Sequence, residues 1–223
     1  MARLKEYNGY YCESEYEYAF IGFLETEGWI YSSGNNISRV TKRDVLIADD
    51  FKKFIVDTNP DLTEDEVTQI FDNVRLVGSE SDFATLHKVY GWMVNGIQFT
   101  PQDGIARMIP LIDFKKDSNK NIFRVVNQFT VEYTNNGQKE NRRPDVLLFV
   151  NGMPLCVIEL KNPADANATI YDAWEQINIR YWRDIPHLLH YCTLACISDG
   201  VKTRLGTVHT PYEHFYAWRR VND

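Results

Sequence analysis

The stretch Arg143-Pro144-Asp145-Val146-Leu147-Leu148-Phe149-Val150, then Asn151-Gly152-Met153-Pro154, then Leu155-Cys156-Val157-Ile158-Glu159-Leu160-Lys161 reads as two apolar strands joined by a turn. Asn-Gly between apolar runs is a strong short-range signal for a β-hairpin. Such a hairpin puts Asp145 at the start of one strand and Glu159 and Lys161 near the end of its partner. Glu159 and Lys161 are two residues apart and project to one face. Two carboxylates and an ammonium therefore converge at one end of an otherwise apolar hairpin. Hard oxygen ligands of this kind suit Mg²⁺, which takes one or two carboxylates and keeps water or phosphate oxygens in its other positions. The chemistry of such a site is activation of water for in-line attack on phosphorus. Lys161 would orient that water or stabilise charge developing on the phosphoryl oxygens.

The triplet alone does not choose between this reading and a surface ion pair at a strand end. Asp50/Lys52 and Asp113/Lys115 have the same acid-x-Lys spacing. Geometry supplies a test. A strict two-residue Asn151-Gly152 loop would set Asp145 opposite Ile158 and send Glu159 to the other face. A shared metal needs an odd-length loop or a bulge, and a three-residue loop with Gly152 in the left-handed conformation is expected.

Before this hairpin the chain is mainly helical. Tyr16, Ala19, Phe20, Phe23 and Leu24 recur at helical spacing over residues 12–27, and Gly28 is placed to end that helix. Glu17 borders the apolar stripe, the usual position of a carboxylate with its head in water. Residues 43–57, 64–75 and 81–93 predict three further helices, the second opened by a Thr63/Glu66 capping box. After Gly96, Met108–Phe114 and Ile122–Tyr133 read as strands with a Lys-Asp-Ser-Asn-Lys-Asn hairpin turn between them. Asn135-Asn136-Gly137 is another turn. Pro163 ends the Leu155–Leu160 strand, and a helix of about twenty residues to Asp184 follows. Tyr191–Ser198, a short strand at Arg204–Val208 and the aromatic tail Tyr212–Trp218 close the chain. One α/β domain over residues 1–223 is expected, with a mainly helical part at 1–95 and a sheet at 96–223 that carries the hairpin.

The 223 residues carry 24 basic and 31 acidic side chains, a net charge of −7. Residues 1–90 hold 9 basic and 17 acidic groups, so the surplus lies there. A protein that coats nucleic acid by bulk charge would be basic, so any DNA contact must come from a local site. No run approaches the ~20 apolar residues of a membrane span, and charges at Arg3, Lys5, Glu6, Glu13 and Glu15 leave no signal-peptide core. Cys12, Cys156, Cys192 and Cys196 form no CxxC pair, and the last three lie in apolar, strand-like runs, which points to a reducing, cytoplasmic setting. His187/His190 and His209/His214 lack further ligands at zinc-like spacing. Gly200-Val201-Lys202-Thr203 lacks the first glycine of a phosphate loop, so no ATP site is found.

Pro144-Asp145 … Glu159-Leu160-Lys161 resembles the PD-(D/E)xK nuclease signature. The wider chain resembles the N-terminal nuclease domain of the restriction (R, or HsdR) subunit of type I restriction-modification enzymes. Glu13 to Gly28-Trp29 is similar to that family's opening helix, and Leu111-Ile112-Asp113-Phe114 and Val125-Val126-Asn127-Gln128-Phe129 to its next strands. Arg143 to Lys161 is the closest stretch, and Ile197-Ser198-Asp199-Gly200 and Leu205-Gly206-Thr207 resemble its closing segments. The resemblance implies a restriction-endonuclease-like mixed sheet flanked by helices and Mg²⁺-dependent cleavage of double-stranded DNA. In it Asp145 and Glu159 are the metal ligands, Lys161 the catalytic lysine and Glu17 the first-helix acid.

The family also has a Gln-x-x-x-Tyr element on the helix after the lysine. Here Gln176 is followed by Arg180 at the fourth position and Tyr181 at the fifth, as though one residue were inserted and absorbed as a π-bulge. Gln176 is the expected DNA-contacting residue, with Tyr181 or Arg180 as its partner. The implied partners are methyltransferase and specificity subunits and an ATP-dependent motor downstream in the same polypeptide. The contrasting reading is a non-catalytic module that binds DNA or docks on the methyltransferase core through its acidic helical part.

Overall fold

The structure, a computed structural model, describes residues 13–78, 81–115, 119–162 and 169–218. Cys12, Lys116-Asp117-Ser118 and Pro163 lie outside the described residues. Helix α1 (Glu13–Thr26) forms as its spacing predicts. It closes on Gly28, at φ +90°, where Trp29 N–H donates to the Leu24 carbonyl at 3.1 Å. Strand β1 (Ile30–Ser33) follows directly, a strand that the sequence reading had left within the helical part.

Helix α2 (Ala48–Thr58) starts five residues later than the expected 43. The Asp44 side chain instead closes a turn by accepting from the Thr41 backbone N–H at 2.8 Å, and Ile47 N–H donates to the Gly152 carbonyl at 2.8 Å. Those bonds hold residues 45–47 as a buried apolar link on the hairpin loop rather than as a helical turn. Helix α3 (Glu64–Arg75) opens on the expected Thr63/Glu66 capping box. Helix α4 (Asp82–Asn95) is capped by Ser81 and stopped by Gly96 at φ +86°.

Strands β2 (Ile97–Phe99) and β3 (Arg107–Ile109) pair with each other as a small antiparallel ribbon. The expected hairpin between residues 108–114 and 122–133 is therefore not formed. Strand β4 (Phe123–Asn127) runs parallel to β1 instead. The expected strand over 122–133 also breaks in two at Gln128, whose φ of +54° turns the chain out of the sheet. Beyond that break, β5 (Val131–Asn135) and β6 (Gln138–Arg142) form a separate hairpin across Asn136-Gly137, both at positive φ, the backbone a tight two-residue turn requires.

Strands β7 (Val146–Val150) and β8 (Met153–Leu160) are the hairpin of the opening stretch, and β4 flanks β7 in antiparallel register. Helix α5 (Ile170–Glu175) continues through a π-helical segment, Gln176–Tyr181, into the last turn α6 (Trp182–Asp184). The short α7 (Pro186–Leu189) leads to β9 (Leu194–Ser198), which runs parallel to β8. Strand β10 (Thr203–Gly206) and the two-residue β11 (Tyr216–Ala217) finish the seven-stranded sheet in the order β1-β4-β7-β8-β9-β10-β11.

Both faces of that sheet are covered. Val126, Leu147, Phe149, Val157, Ala195 and Ile197 pack on Phe51, Phe54 and Ile55 of α2, Ile70 and Val74 of α3, and Ala173 of α5. The opposite face, with Val125, Val146, Cys156, Ile158, Leu160 and Cys196, packs under Ile21 of α1. Each such aliphatic or aromatic group contributes roughly 1.5–3 kcal/mol on leaving water. This is a mixed α/β sheet flanked by helices, consistent with a restriction-endonuclease-like fold.

Candidate active site

The β7–β8 hairpin solves the face problem with a bulge. Val150 pairs with Met153 across a strict two-residue turn, so the expected three-residue loop is not formed. Asn151 and Gly152 both have positive φ, +51° and +77°. Leu148 pairs with Cys156 and Phe149 with Pro154, which leaves Leu155 as the extra residue. Proline tolerates this position because a bulge removes the need for a ladder donor. Below the bulge Val146 faces Ile158 and Leu147 faces Val157, so Asp145 comes level with Glu159 on the same face.

The loop is fixed from outside. Asn151 is fully buried; its Nδ2 donates to the Leu111 carbonyl and to Asn121 Oδ1, both at 2.9 Å, and its Oδ1 accepts from Ile122 N–H at 2.7 Å. A Cβ on Gly152 would collide with the Ile47 carbonyl and lie 2.8 Å from the Phe51 nitrogen. Glycine is required there by space as well as by φ.

At the far end of the hairpin, Glu159 is fully buried. Its two oxygens accept at 2.6 Å from the Tyr181 hydroxyl and at 2.6 Å from Gln176 Nε2. Gln176 Nε2 also lies 2.9 Å from the Tyr181 oxygen, and Gln176 Oε1 accepts from Lys161 Nζ at 3.0 Å. Asp145 Oδ2 accepts from the Leu160 backbone N–H at 2.8 Å, which ties the carboxylate to the end of β8. Asp145 and Glu159 are close enough for the Asp145 charge to act on the Glu159 carboxyl. Burial, and then the charge of Asp145, push the Glu159 carboxyl well above the ordinary glutamate value; the Tyr181 hydrogen bond and the Lys161 ammonium oppose that. Burial and then Glu159 likewise raise the Tyr181 phenol.

Two acids held this close repel one another unless a proton or a cation lies between them. The donor set fits a hard divalent cation. It offers two carboxylates, the number Mg²⁺ commonly takes beside water or phosphate oxygens, and among the described residues no group of three or more His, Cys, Asp or Glu is placed to hold a metal.

Of the residues singled out in the sequence, Asp145, Glu159, Lys161, Gln176 and Tyr181 are joined in one network. The π-helical segment accounts for Tyr181. Five residues after Gln176 in a regular α-helix it would be displaced by ~140°. The wider π turn returns it to the face of Gln176. Arg180 is bound elsewhere: half of its side chain is exposed and it pairs with Glu175 at 3.0 Å.

Glu17 is not a boundary carboxylate with its head in water. It is 5% exposed, and α1 packs it against the sheet. It accepts from Asn127 Nδ2 at 2.6 Å and from Gln128 Nε2 at 3.3 Å. Tyr31 donates to Asn127 Oδ1 at 3.1 Å, and Gln128 N–H donates to the Asp145 carbonyl at 3.3 Å. A Tyr31–Asn127–Glu17–Gln128 network thus reaches the backbone of Asp145 from the α1 side of the sheet. Asn127 and Gln128 were not picked out as site residues. Their signal was a polar pair ending an apolar strand, Phe123–Asn127.

A family described as the type I restriction enzyme R protein N terminus matches residues 10–214. A Methanocaldococcus jannaschii protein named as the MjaIXP endonuclease subunit of a type I restriction enzyme is 33% identical over 92% of this chain and 20% of its own length. The type I restriction enzyme HindI endonuclease subunit of Haemophilus influenzae is 29% identical over 95% of this chain and 20% of its own. The chain thus spans about a fifth of the length of these relatives. The chain belongs to the family of type I restriction enzyme R protein N-terminal domains.

Proposed function

We propose that this chain is the Mg²⁺-dependent endonuclease domain of a type I restriction-modification system, hydrolysing phosphodiester bonds of double-stranded DNA. The observation that carries the reading is the bulge at Leu155, which brings Asp145 and Glu159 to one face beside Lys161 at the end of a rigid hairpin. A docking surface needs no such convergence of two acids, one of them fully buried, and a lysine. The family and the printed names of the relatives support the same direction.

Asp145 and Glu159 would hold Mg²⁺, which when bound supplies Lewis-acid activation of water and of phosphoryl oxygens. Tyr181 and Gln176 fix the two oxygens of Glu159, so the carboxylate needs little reorganisation when a substrate arrives. Lys161, steered by Gln176 Oε1, places a positive charge where the phosphoryl oxygens gain negative charge. Glu17, through Gln128, sets the position of the Asp145 backbone. Gln176, Tyr181 and Arg180 border the path of the DNA. The domain works in the cytoplasm with methyltransferase and specificity subunits, and an ATP-dependent motor in the same polypeptide delivers the DNA.

The test is Mg²⁺-dependent cleavage by the assembled enzyme carrying Asp145→Ala, Glu159→Ala or Lys161→Ala. Each substitution should abolish cutting while DNA binding persists. Cleavage at the wild-type rate by all three variants would sink the assignment.

A further inference from the structure

Next to the paired acids the surface forms a cleft of ≈ 230 Å³ lined by Asn141, Arg142, Arg143, Gln176, Arg180 and Tyr181. Gln176 and Tyr181 are shared: one side of each holds Glu159, and the same residues wall the cleft. Three arginines converge there from two elements, β6 with the residue after it and the π-helical segment.

Their charges are unequally committed. Arg142 is bound to the buried Asp184 at 2.6 Å, a carboxylate that Arg183 also holds at 2.7 Å. That ion pair fastens β6 to α6 and fixes the wall of the cleft. Among the described residues the ion pair of Arg180 is with the partly exposed Glu175 at 3.0 Å, a surface pair that contributes little and can exchange partners. Arg143 is exposed and has no acidic partner among the described residues. A cleft with a fixed wall, one unpaired guanidinium and one loosely paired one is an anion site. Its position beside Glu159 selects the anion.

We propose that this cleft is the seat for a phosphodiester of the DNA strand next to the one being cut, gripped by Arg143 and Arg180 with Asn141 as an uncharged donor. The proposal rests on the nuclease reading above and adds a place on this chain for the substrate's backbone. An arginine fork matches the phosphate oxygens in two-point contact, so this seat would set the register of the strand against Asp145 and Glu159 without reading sequence.

The experiment measures DNA affinity of the full polypeptide against salt, using a labelled short duplex with Mg²⁺ withheld so that nothing is cut. Each phosphate contact contributes about 0.9 to the slope of log affinity on log salt. Arg143→Ala should weaken binding roughly tenfold and lower the slope by about 0.9. Arg180→Ala should do the same, and Arg143→Lys should keep the slope while losing part of the affinity. Lys53→Ala, a lysine on α2 paired with Asp57, should leave both unchanged. Inorganic phosphate at matched ionic strength should fail to displace the duplex; displacement would reassign the cleft to a small free anion. A slope unaltered in both arginine variants, or equally altered by Lys53→Ala, overturns the proposal. Asp145→Asn separates the two levels: it should lose cleavage and keep the slope. Cutting by that variant would strike the nuclease reading, whereas an unchanged slope in Arg143→Ala strikes only the phosphate seat.

Discussion

Tyr181 shows how much one side chain contributes here. Its hydroxyl gives Glu159 one of two hydrogen bonds in a site where the carboxylate is wholly removed from water. A partner that orients a metal-ligating group typically matters by 10–100-fold in metal affinity or activity. Tyr181→Phe should therefore lower Mg²⁺ affinity or turnover by roughly 10–100-fold and leave the salt slope of DNA binding as it is. Titration of cleavage rate against Mg²⁺ checks this, and an unchanged curve would show the hydroxyl to be idle. Gly152 is a second such position. An alanine there meets the Ile47 carbonyl and the Phe51 backbone at a φ of +77°. Neither obstacle is a flexible side-chain end, so Gly152→Ala should cost about 2–4 kcal/mol, read as a fall in the denaturant midpoint. A loss under 0.5 kcal/mol, the ordinary surface range, would mean that the loop can move away.

Among the elements, the helix after the hairpin carries the most specific claim. Because Gln176–Tyr181 is a π-helical segment between α-helical turns, it absorbs one residue without changing the phase of either flank. Removing one residue from it should restore a regular helix with the tyrosine four positions after Gln176 and still on Glu159. Ile179 is the residue to delete, since it is 47% exposed. The deletion should retain most of the cleavage that Tyr181→Phe loses. Equal loss in both would mean that the wide turn itself, and not the tyrosine it places, is what the site needs. The β7–β8 hairpin also carries an extra residue, Leu155, and there the bulge re-aims Glu159. The effects differ: in the strand the added residue carries Glu159 to the other face, whereas in the helix the wide turn cancels the ~100° that an added residue would impose and keeps Tyr181 in place.

At the scale of the molecule, the acidic helical part and the sheet meet along a seam. Tyr191 donates its hydroxyl to the Val74 carbonyl at 2.7 Å, and Arg43, Asp44, Arg75, His187 and His190 line a cleft beside it. His187 Nε2 is buried there without a hydrogen-bond partner among the described residues. Burial, with help from Arg43 and His190 and against Asp44, lowers the His187 imidazole to about 4 from 6.5. The unfolded chain binds that proton more readily than the folded one. The contribution of neutral His187 is thus complete above pH 6.5 and is lost as the pH falls toward about 4. It amounts to roughly 3 kcal/mol at most. His187→Gln should flatten the stability profile between those limits, measured by urea denaturation at several pH values. A variant with the wild-type slope would place the acid sensitivity elsewhere. The charge distribution acts at the same scale. The net −7 stays compatible with DNA contact because its surplus lies in the first 90 residues, while Arg142, Arg143 and Arg180 gather around the second part's cleft.

Local chemistry was enough for much of this. Asn151-Gly152 between apolar runs gave the hairpin, Thr63 and Glu66 the start of α3, and Asn136-Gly137 the β5–β6 turn, since each is settled by bonds among near neighbours. Asp145, Glu159 and Lys161 stood out by spacing and were chosen through the family resemblance, and the need for an odd-length loop or a bulge followed from strand periodicity. Contacts distant in sequence decided the rest. Strand β1 exists because it pairs with β4, ninety-odd positions later in the chain, and four residues of mixed polarity do not announce that partner. Gln128 leaves the sheet because its backbone and side chain are held by Asp145 and Glu17. Glu17 is buried because Asn127 comes to meet it, whereas a helical wheel places it only at the edge of a stripe. The extra residue between Gln176 and Tyr181 and its absorption as a π-bulge were legible in the sequence; that both side chains would then meet on Glu159 depended on the packing of the sheet below them. Periodicity fixes the face a side chain takes within its own element. Which groups wait on the other side is a property of the assembled core.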